Sequence, residues 1–184
     1  VTDREAGYDG ISTFIVDPDD AGFEITHIWD KMGLHSSPTC TIVLDDVRIP
    51  EDRLLGELGD GWNQTLKTLD GGRISIAALS TGMAHGAYEA AKAYAGERKQ
   101  FDQPISEFDA VRDMIVEMYR KTERARLLTR KAAWKYDRGE SVTTAASLAK
   151  LDASEAAREV AETAVQVLGG HGYMTDNAPQ RFYR

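Results

Sequence analysis

Hydrophobic and polar positions follow different periods on the two sides of Pro50. Before Pro50, apolar and β-branched residues largely alternate with polar ones in three short stretches, at 11–16, 23–28 and 39–44. A period of two predicts β-strands, and the turn-forming residues between the stretches predict antiparallel pairing. Because three short strands can neither close a barrel nor fill a sandwich, we expect further strands of this sheet to lie outside the sequence.

After Pro50, the apolar positions recur at the three- to four-residue spacing of amphipathic helices. They predict three long helices, at about 62–97, 107–137 and 142–168. Since helices of this length joined by short loops pack as antiparallel bundles, the pattern predicts an up-down bundle. The last residues carry no helix-capping signal, and we therefore expect a fourth helix that the sequence does not include.

The predicted fold class is an α+β fragment: part of an antiparallel β domain, followed by three long helices of an up-down four-helix bundle. We place the domain boundary between 1–58, the C-terminal portion of the β domain, and 59–184, an incomplete helical domain. The first helix has large apolar residues at helical spacing: Leu66, Leu69, Ile76, Leu79, Met83, Tyr88 and Ala91. The third helix has a stripe of mostly small residues, which allow close packing: Ala146, Ala149, Ala153, Ala156, Val160, Ala164 and Val167.

Charge and composition exclude several classes of function. A net charge of −8 and a pI near 5.0 argue against nucleic acid as the main partner, because a phosphate backbone favours a basic surface. No apolar run approaches the ~20 residues of a membrane span. The lone Cys40 excludes an intrachain disulfide, and its apolar surroundings predict a buried thiol. The four histidines are scattered and form no metal-ligand set, and the common hydrolase and P-loop motifs are absent.

Two glycines stand in the middle of the first helical pattern, in the segment Asp70-Gly71-Gly72-Arg73. Each glycine costs about 1 kcal/mol relative to alanine inside a helix. A ligand that lies close to the helix surface, between an acid and a base on one face, explains them. A helix break, or two shorter helices, is the alternative.

The end of the first helix has residues suited to a phosphate and an aromatic ring. Arg98 presents a planar fork of donors, and Phe101 offers an aromatic face close to it in the chain. The alternative is a solvated last turn, in which cations are favoured by the helix dipole.

A glycine-rich segment, Gln-Val-Leu-Gly-Gly-His-Gly-Tyr at 166–173, follows the third helix. Glycines at this place permit a positive-φ helix stop, and they also permit a ligand or another chain to approach the main chain. A strand would have to precede the glycines of a dinucleotide-binding Rossmann motif, so that interpretation does not apply.

Taken together and in this order, eight stretches resemble the acyl-CoA dehydrogenase family of flavoproteins. The most informative are Leu-Asp-Gly-Gly-Arg at 69–73, Glu-Arg-Lys-Gln-Phe at 97–101 and the segment 166–173. The other five lie at 31–38, 45–50, 59–62, 145–150 and 181–184. They span nearly the whole chain, and the Asp-x-Gly-Arg form is most similar to the short-chain, butyryl-type branch.

The resemblance implies a helical N-terminal domain, a middle β domain and a C-terminal four-helix bundle, of which this chain holds the later parts. It implies α,β-dehydrogenation of an acyl-CoA thioester, with hydride transfer to FAD. The implied substrate-binding residues are Asp70, Gly71, Gly72 and Arg73. The implied cofactor-binding residues are Arg98, Phe101, Gln166, Val167, Leu168, Gly169 and Gly170, with Arg98 and Phe101 against the FAD of a neighbouring subunit.

The resemblance also implies partners and a location. The partners are the acyl-CoA substrate, a homotetramer or homodimer that shares its FAD sites, and an electron acceptor such as electron-transfer flavoprotein. The expected location is the bacterial cytoplasm, or the mitochondrial matrix in a eukaryote.

Two positions depart from the family pattern. Asp109 stands where the family commonly has a glutamine that contacts FAD, and its charge is unfavourable near a pyrophosphate unless it points away or pairs with Arg112. Gly72 stands at one of the two family positions for the glutamate base, and the other is expected beyond Arg184. The chain therefore has no predicted catalytic residue. An acyl-CoA oxidase of the same fold, or a helical interaction module without catalysis, is the alternative.

Overall fold

The computed structural model describes all 184 residues, and its contacts divide the chain into two compact units, Val1–Thr68 and Leu69–Arg184. In the first unit, strand β1 (Phe23–Trp29) pairs antiparallel with β2 (Thr39–Leu44), and a bulge follows Ile25. The predicted second and third strands are confirmed. The domain boundary between residues 58 and 59 stays a prediction.

The predicted strand at 11–16 is wrong. The stretch forms one isolated antiparallel bridge, between Phe14 and Leu54, with backbone hydrogen bonds from Ile15 N–H to the Arg53 carbonyl (2.9 Å) and from Leu55 N–H to the Thr13 carbonyl (2.9 Å). Its partner cannot extend the ladder, because 51–53 is a 3-10 turn. The stretch 11–16 therefore has the alternating pattern of a strand but only a short segment to pair with.

The two-stranded sheet leaves apolar side chains in solvent within this unit. Ile25 and Ile42 are each 50% exposed, and Cys40 is half-buried rather than buried as predicted. Two strands can cover only part of their own faces. At the turn before β1, Asp20 accepts two hydrogen bonds from Arg53 (2.7 and 2.6 Å), which lower the pKa of the Asp20 carboxyl.

The three predicted helices are confirmed, with bounds within two residues of those predicted. Helix α1 covers Gly61–Glu97, α2 covers Asp109–Asp137 and α3 covers Thr143–Leu168. Between α1 and α2 lies a hairpin of two short strands, β3 (Lys99–Gln100) and β4 (Gln103–Pro104). A short helix, α4 (Pro179–Tyr183), follows the glycine-rich segment. None of these helices has the length and the apolar run that crossing a membrane requires.

The core of the second unit is built mainly of alanine, with the α3 stripe buried as predicted. Fully buried alanines come from all three long helices: Ala77, Ala84, Ala87, Ala91 and Ala95 of α1, Ala125 and Ala132 of α2, and Ala146, Ala149, Ala153, Ala161 and Ala164 of α3. The helical spacing predicted for α1 is confirmed, but Leu69, Ile76 and Leu79 lie outside this core, 45–47% exposed. Alanine lets α1 approach its neighbours closely, and the larger residues lie on an adjacent face.

One close contact fixes α4 on α1. A Cβ at Gly86 would lie 2.6 Å from the Phe182 ring, so a side chain there would displace this ring. Gly82, four residues earlier, has nothing within 4 Å of such a Cβ. Of these two glycines, only Gly86 makes a tight contact.

Charged side chains join α2 to α3. Lys121 Nζ lies 2.6 Å from a Glu159 carboxylate oxygen, and Arg124 lies 2.7 Å from Asp152. Along α2, Arg120 donates two hydrogen bonds to Glu117 (2.7 and 2.5 Å), and these lower the pKa of Glu117 from 4.5 to about 2. The hydrogen bond from Lys121 lowers the pKa of Glu159 in the same direction.

These shifts predict an acid-sensitive bundle. A carboxyl whose pKa is lowered by folding adds stability above its unfolded pKa, and that stability is lost as the pH falls from about 4.5 towards about 2. We expect urea midpoints to fall across this range, and Glu117→Gln to flatten the dependence. Because Glu117 is 46% exposed, the change should be modest. An identical slope in the variant and the parent protein would contradict the assignment.

Candidate functional site

The glycine pair in α1 does not break the helix, so the helix-break alternative is wrong. Asp70 and Arg73 form the predicted pair on one face, with Arg73 Nη1 2.7 Å from Asp70 Oδ1. The other carboxylate oxygen, Oδ2, accepts a hydrogen bond of 2.6 Å from the hydroxyl of Thr143, the first residue of α3. Asp70 thus fixes Arg73 and connects α1 to the start of α3.

The two glycines differ in what surrounds them. A Cβ at Gly71 would meet the Tyr136 hydroxyl at 3.6 Å, which is ordinary contact distance. At Gly72 nothing lies within 4 Å, and the residue is exposed. Gly72 therefore leaves a bare strip of helix beside the Asp70–Arg73 pair, where a ligand can lie against the backbone.

Removing the Thr143 hydroxyl tests the link from Asp70 to α3. Thr143→Val is expected to lower the free energy of unfolding by about 1 kcal/mol, because Asp70 loses one hydrogen-bond donor. Thr144→Val is the matched control, since Thr144 is also exposed and makes no side-chain hydrogen bond. Equal urea midpoints for the two variants would show that the link contributes nothing.

The hairpin after α1 holds Phe101 in a strained and exposed position. Phe101 (φ 51°) and Asp102 (φ 65°) form its two-residue turn, both in the left-handed region. Positive φ at two central residues suits a tight hairpin, but for a bulky side chain it costs on the order of 1–3 kcal/mol. The Phe101 ring is nonetheless 89% exposed, and it meets the ring of Phe108 edge to face, at 6.3 Å between centroids. Strain of this kind is typical of functional positions.

Arg98 begins the same hairpin and is free to bind an anion. Its backbone N–H donates to the Tyr94 carbonyl (2.8 Å), and its own carbonyl accepts from Ile105 N–H (2.8 Å). Its side chain is exposed and has no carboxylate within 4.0 Å. Asp109 pairs with Arg112 at 3.2 Å, so its charge is partly compensated inside the chain.

The glycine-rich segment both ends α3 and exposes its own backbone. Gly169 has φ 58° and ψ −137°, and its N–H donates to the Gln166 carbonyl, which confirms the positive-φ stop. A Cβ on Gly169 or Gly170 would meet nothing within 4 Å. A Cβ on Gly172 would lie 2.5 Å from the Val165 carbonyl oxygen, so Gly172 is needed for packing. The three glycines therefore have separate roles.

The remaining predicted cofactor residues divide between core and surface. Val167 and Leu168 are buried, 8% and 5% exposed, so only their backbone can reach a ligand. Gln166 is exposed and lines a cavity of about 430 Å³, together with Met114, Glu162, Thr163, Val165 and Tyr183. Its exposed amide is therefore a side-chain group of this segment that a ligand can contact.

The structure brings the predicted residues together as two groups at opposite ends of α1. Arg98 and the glycine-rich segment lie at one end, where the rings of Tyr94 and His171 are 6.1 Å apart. Asp70 and Arg73 lie at the other. At about 1.5 Å per residue, the straight helix separates Arg73 from Arg98 by about 37 Å. The predicted binding residues of one chain thus form two separate groups.

Sequence reasoning missed Thr143, Tyr94 and the supporting role of Phe108. Thr143 and Tyr94 act through contacts with residues far away in the chain, and no local pattern marks such a contact. Phe108 contacts Phe101 across the end of the hairpin, which the sequence did not predict. The sequence Gln-Phe-Asp-Gln-Pro at 100–104 was the one available signal of a tight turn, through Asp102 and Pro104. No group of three or more His, Cys, Asp or Glu side chains is placed to hold a metal ion.

Comparison with known proteins gives a consistent set of matches. Residues 59–184 match the family described as acyl-CoA dehydrogenase, C-terminal domain. YngJ of Bacillus subtilis, a probable acyl-CoA dehydrogenase, is 47% identical over 174 residues, which are 95% of this chain and 46% of that protein.

Two solved structures have nearly the same fold. Butyryl-CoA dehydrogenase of Megasphaera elsdenii gives a TM-score of 0.96 at 38% identity, over 99% of this chain and 48% of that one. A chain from work on the electron-transferring flavoprotein of Acidaminococcus fermentans and flavin-based electron bifurcation gives 0.97 at 42% identity, over 99% and 48%. The chain spans about half the length of the relatives that it matches.

Proposed function

We propose that this chain, which belongs to the acyl-CoA dehydrogenase family, is part of an enzyme that oxidises an acyl-CoA thioester at the α,β-bond. FAD supplies the hydride acceptor when it is bound. The observation that carries the proposal is the hairpin, which holds the almost fully exposed ring of Phe101 at positive φ and begins at the unpaired Arg98. Similarity to the butyryl-CoA enzyme supports a short-chain substrate.

The residues present fit a flavin dinucleotide. Arg98 provides a cation for a pyrophosphate, and Phe101 provides a face for a ring. Gly169 and Gly170 leave bare backbone where any side chain would stand between the chain and the ligand. The Gln166 amide, beside the cavity of about 430 Å³, can hydrogen-bond the adenine end.

At the other end of α1, Asp70, Arg73 and the two glycines would contact the acyl-CoA. Asp70 holds the Arg73 guanidinium in place, and Gly72 lets the substrate approach the helix. Gly72 has no side chain that could take a proton, and Asp70 is already engaged by Arg73 and Thr143. We therefore propose that the carboxylate base comes from a part of the protein outside residues 1–184.

The separation of the two ends supports sites shared between subunits. Each site would combine the substrate-binding residues 70–73 of one chain with the hairpin and the glycine-rich segment of another chain. The outward face of α2 supports this assembly, since Val116, Leu127 and Trp134 are 56–64% exposed. We propose a homotetramer or homodimer, with electron-transfer flavoprotein as the electron acceptor. Analytical ultracentrifugation of the full-length protein tests the assembly.

The bacterial relatives support a cytoplasmic location.

Flavin absorbance of the full-length protein tests the activity. Adding a short-chain acyl-CoA without oxygen is expected to bleach the visible flavin band, and electron-transfer flavoprotein is expected to restore it. An unchanged spectrum with acyl-CoA of every chain length would contradict a dehydrogenase. Rapid recovery with O₂ alone would indicate the acyl-CoA oxidase. Failure to bind FAD in the assembled protein would favour a helical interaction module.

A further inference from the structure

We infer that the ring contact between Tyr94 and His171 is a positioning contact, which sets the spacing between the hairpin and the glycine-rich segment. The inference rests on the proposed function, because both segments are assigned there to FAD. Tyr94 lies in α1 and His171 in the glycine-rich segment, with ring centroids 6.1 Å apart and planes at 50°. Neither residue is among those assigned to bind the cofactor.

Tyr94 is tied to the hairpin through its backbone and to the core through its ring. Its carbonyl accepts the Arg98 N–H at 2.8 Å, which links the backbone of Tyr94 to the first residue of the hairpin. Its side chain is half-buried and packs against the alanine core of the three helices. The ring therefore has a fixed position relative to Arg98.

His171 is tied to the glycine-rich segment in the same way. It stands between Gly170, whose backbone is open, and Gly172, which is buried with its Cα packed against the Val165 backbone. Its carbonyl accepts hydrogen bonds from the Asn177 side-chain amide (2.8 Å) and from Met174 N–H (3.2 Å). The backbone is held on the C-terminal side, and the exposed ring of His171 contacts Tyr94.

This contact therefore matters more for a ligand that touches both segments than for the fold. The bundle has a large core without it, whereas a ligand that bridges the hairpin and Gly169–Gly170 requires both at one spacing. Without the contact, part of the binding free energy of the ligand is used to order the two segments. Aromatic pairs contribute enough to change an affinity by about two- to tenfold.

FAD titration of the full-length protein, stripped of its flavin, tests the inference. Tyr94→Ala and His171→Ala are each expected to raise the Kd for FAD about two- to tenfold, and the double variant no more than the stronger single one. Tyr94→Phe keeps the ring and is expected to bind like the parent protein. Tyr119→Ala is the matched control, because it removes a similar ring contact, with Tyr88 at 5.6 Å, away from both segments.

The outcomes separate the inference from the proposed function. A parent protein that binds no FAD would overturn both. A parent protein that binds FAD, with variants of unchanged Kd, with additive effects of the two substitutions, or with an equal loss in Tyr119→Ala, would overturn the positioning contact alone. Thermal melts of the same variants show whether weaker binding results from a less stable fold. If the Kd rises only in those variants whose melting temperature falls, that result would also contradict the positioning contact.

Discussion

Replacing Phe101 with glycine is expected to weaken FAD binding at least fivefold without weakening the fold. The ring is 89% exposed, so the folded chain loses little packing when it is removed. The backbone at φ 51° becomes unstrained, which offsets the extra chain entropy of glycine and leaves stability equal or higher by up to about 1 kcal/mol. The binding free energy that a ligand ring gains by stacking on Phe101, about 1–3 kcal/mol, is lost. Stability and affinity should therefore change in opposite directions.

Asp102→Gly is the matched control, because Asp102 has φ 65° in the same turn. It relieves the same kind of strain but leaves the ring in place, so FAD affinity should not fall. The two variants are compared by FAD titration and by urea unfolding of the full-length protein. A fall in affinity in both variants would mean that the turn conformation, and not the Phe101 ring, is what the cofactor requires.

The second large effect is expected from two glycines that are two residues apart. Gly170→Val should leave the free energy of unfolding within about 0.5 kcal/mol, since the site is open, but should lower FAD affinity at least about tenfold by covering the backbone. Gly172→Ala should cost roughly 1–3 kcal/mol of stability, because the new Cβ lies 2.5 Å from the Val165 carbonyl oxygen. Urea unfolding and FAD titration of both variants measure the two quantities.

Gly169 is the less informative position for this experiment. At φ 58° and ψ −137°, a substituted residue is strained even though there is space for it, so lost binding could follow lost structure. Gly170 has no positive φ and separates the two effects. If Gly170→Val bound FAD like the parent protein, the glycine-rich segment would be a helix stop and nothing more.

Much of the fold follows from local patterns, and the misses have physical causes. The helices were predicted closely because each repeats its signal over 26 to 37 residues. The stretch 11–16 has a good strand pattern, yet strand formation depends on a partner, and the partner is mostly a 3-10 turn. The sequence did not indicate the buried face of α1, because alanines make the contacts there and several larger apolar residues lie beside it.

The candidate site was predictable as separate segments but not as an arrangement. Asp70 and Gly169 could be picked out because glycines interrupt a helical pattern beside them, and Arg98 because a phenylalanine follows it closely in the chain. The hydrogen bond from Thr143 to Asp70 and the contact of Tyr94 with His171 join residues more than 70 positions apart. The strain at Phe101 was also invisible, since phenylalanine gives no sign of a positive φ.

In the proposed assembly, each copy of the protein contributes residues to two sites through the two ends of helix α1. If its ends serve different sites, a copy with a faulty glycine pair and a copy with a faulty hairpin can still build one intact site between them when they are mixed. A copy faulty at both ends instead disables two sites at once. In a cell that produces both normal and doubly faulty copies, the lost activity would exceed the fraction of faulty chains.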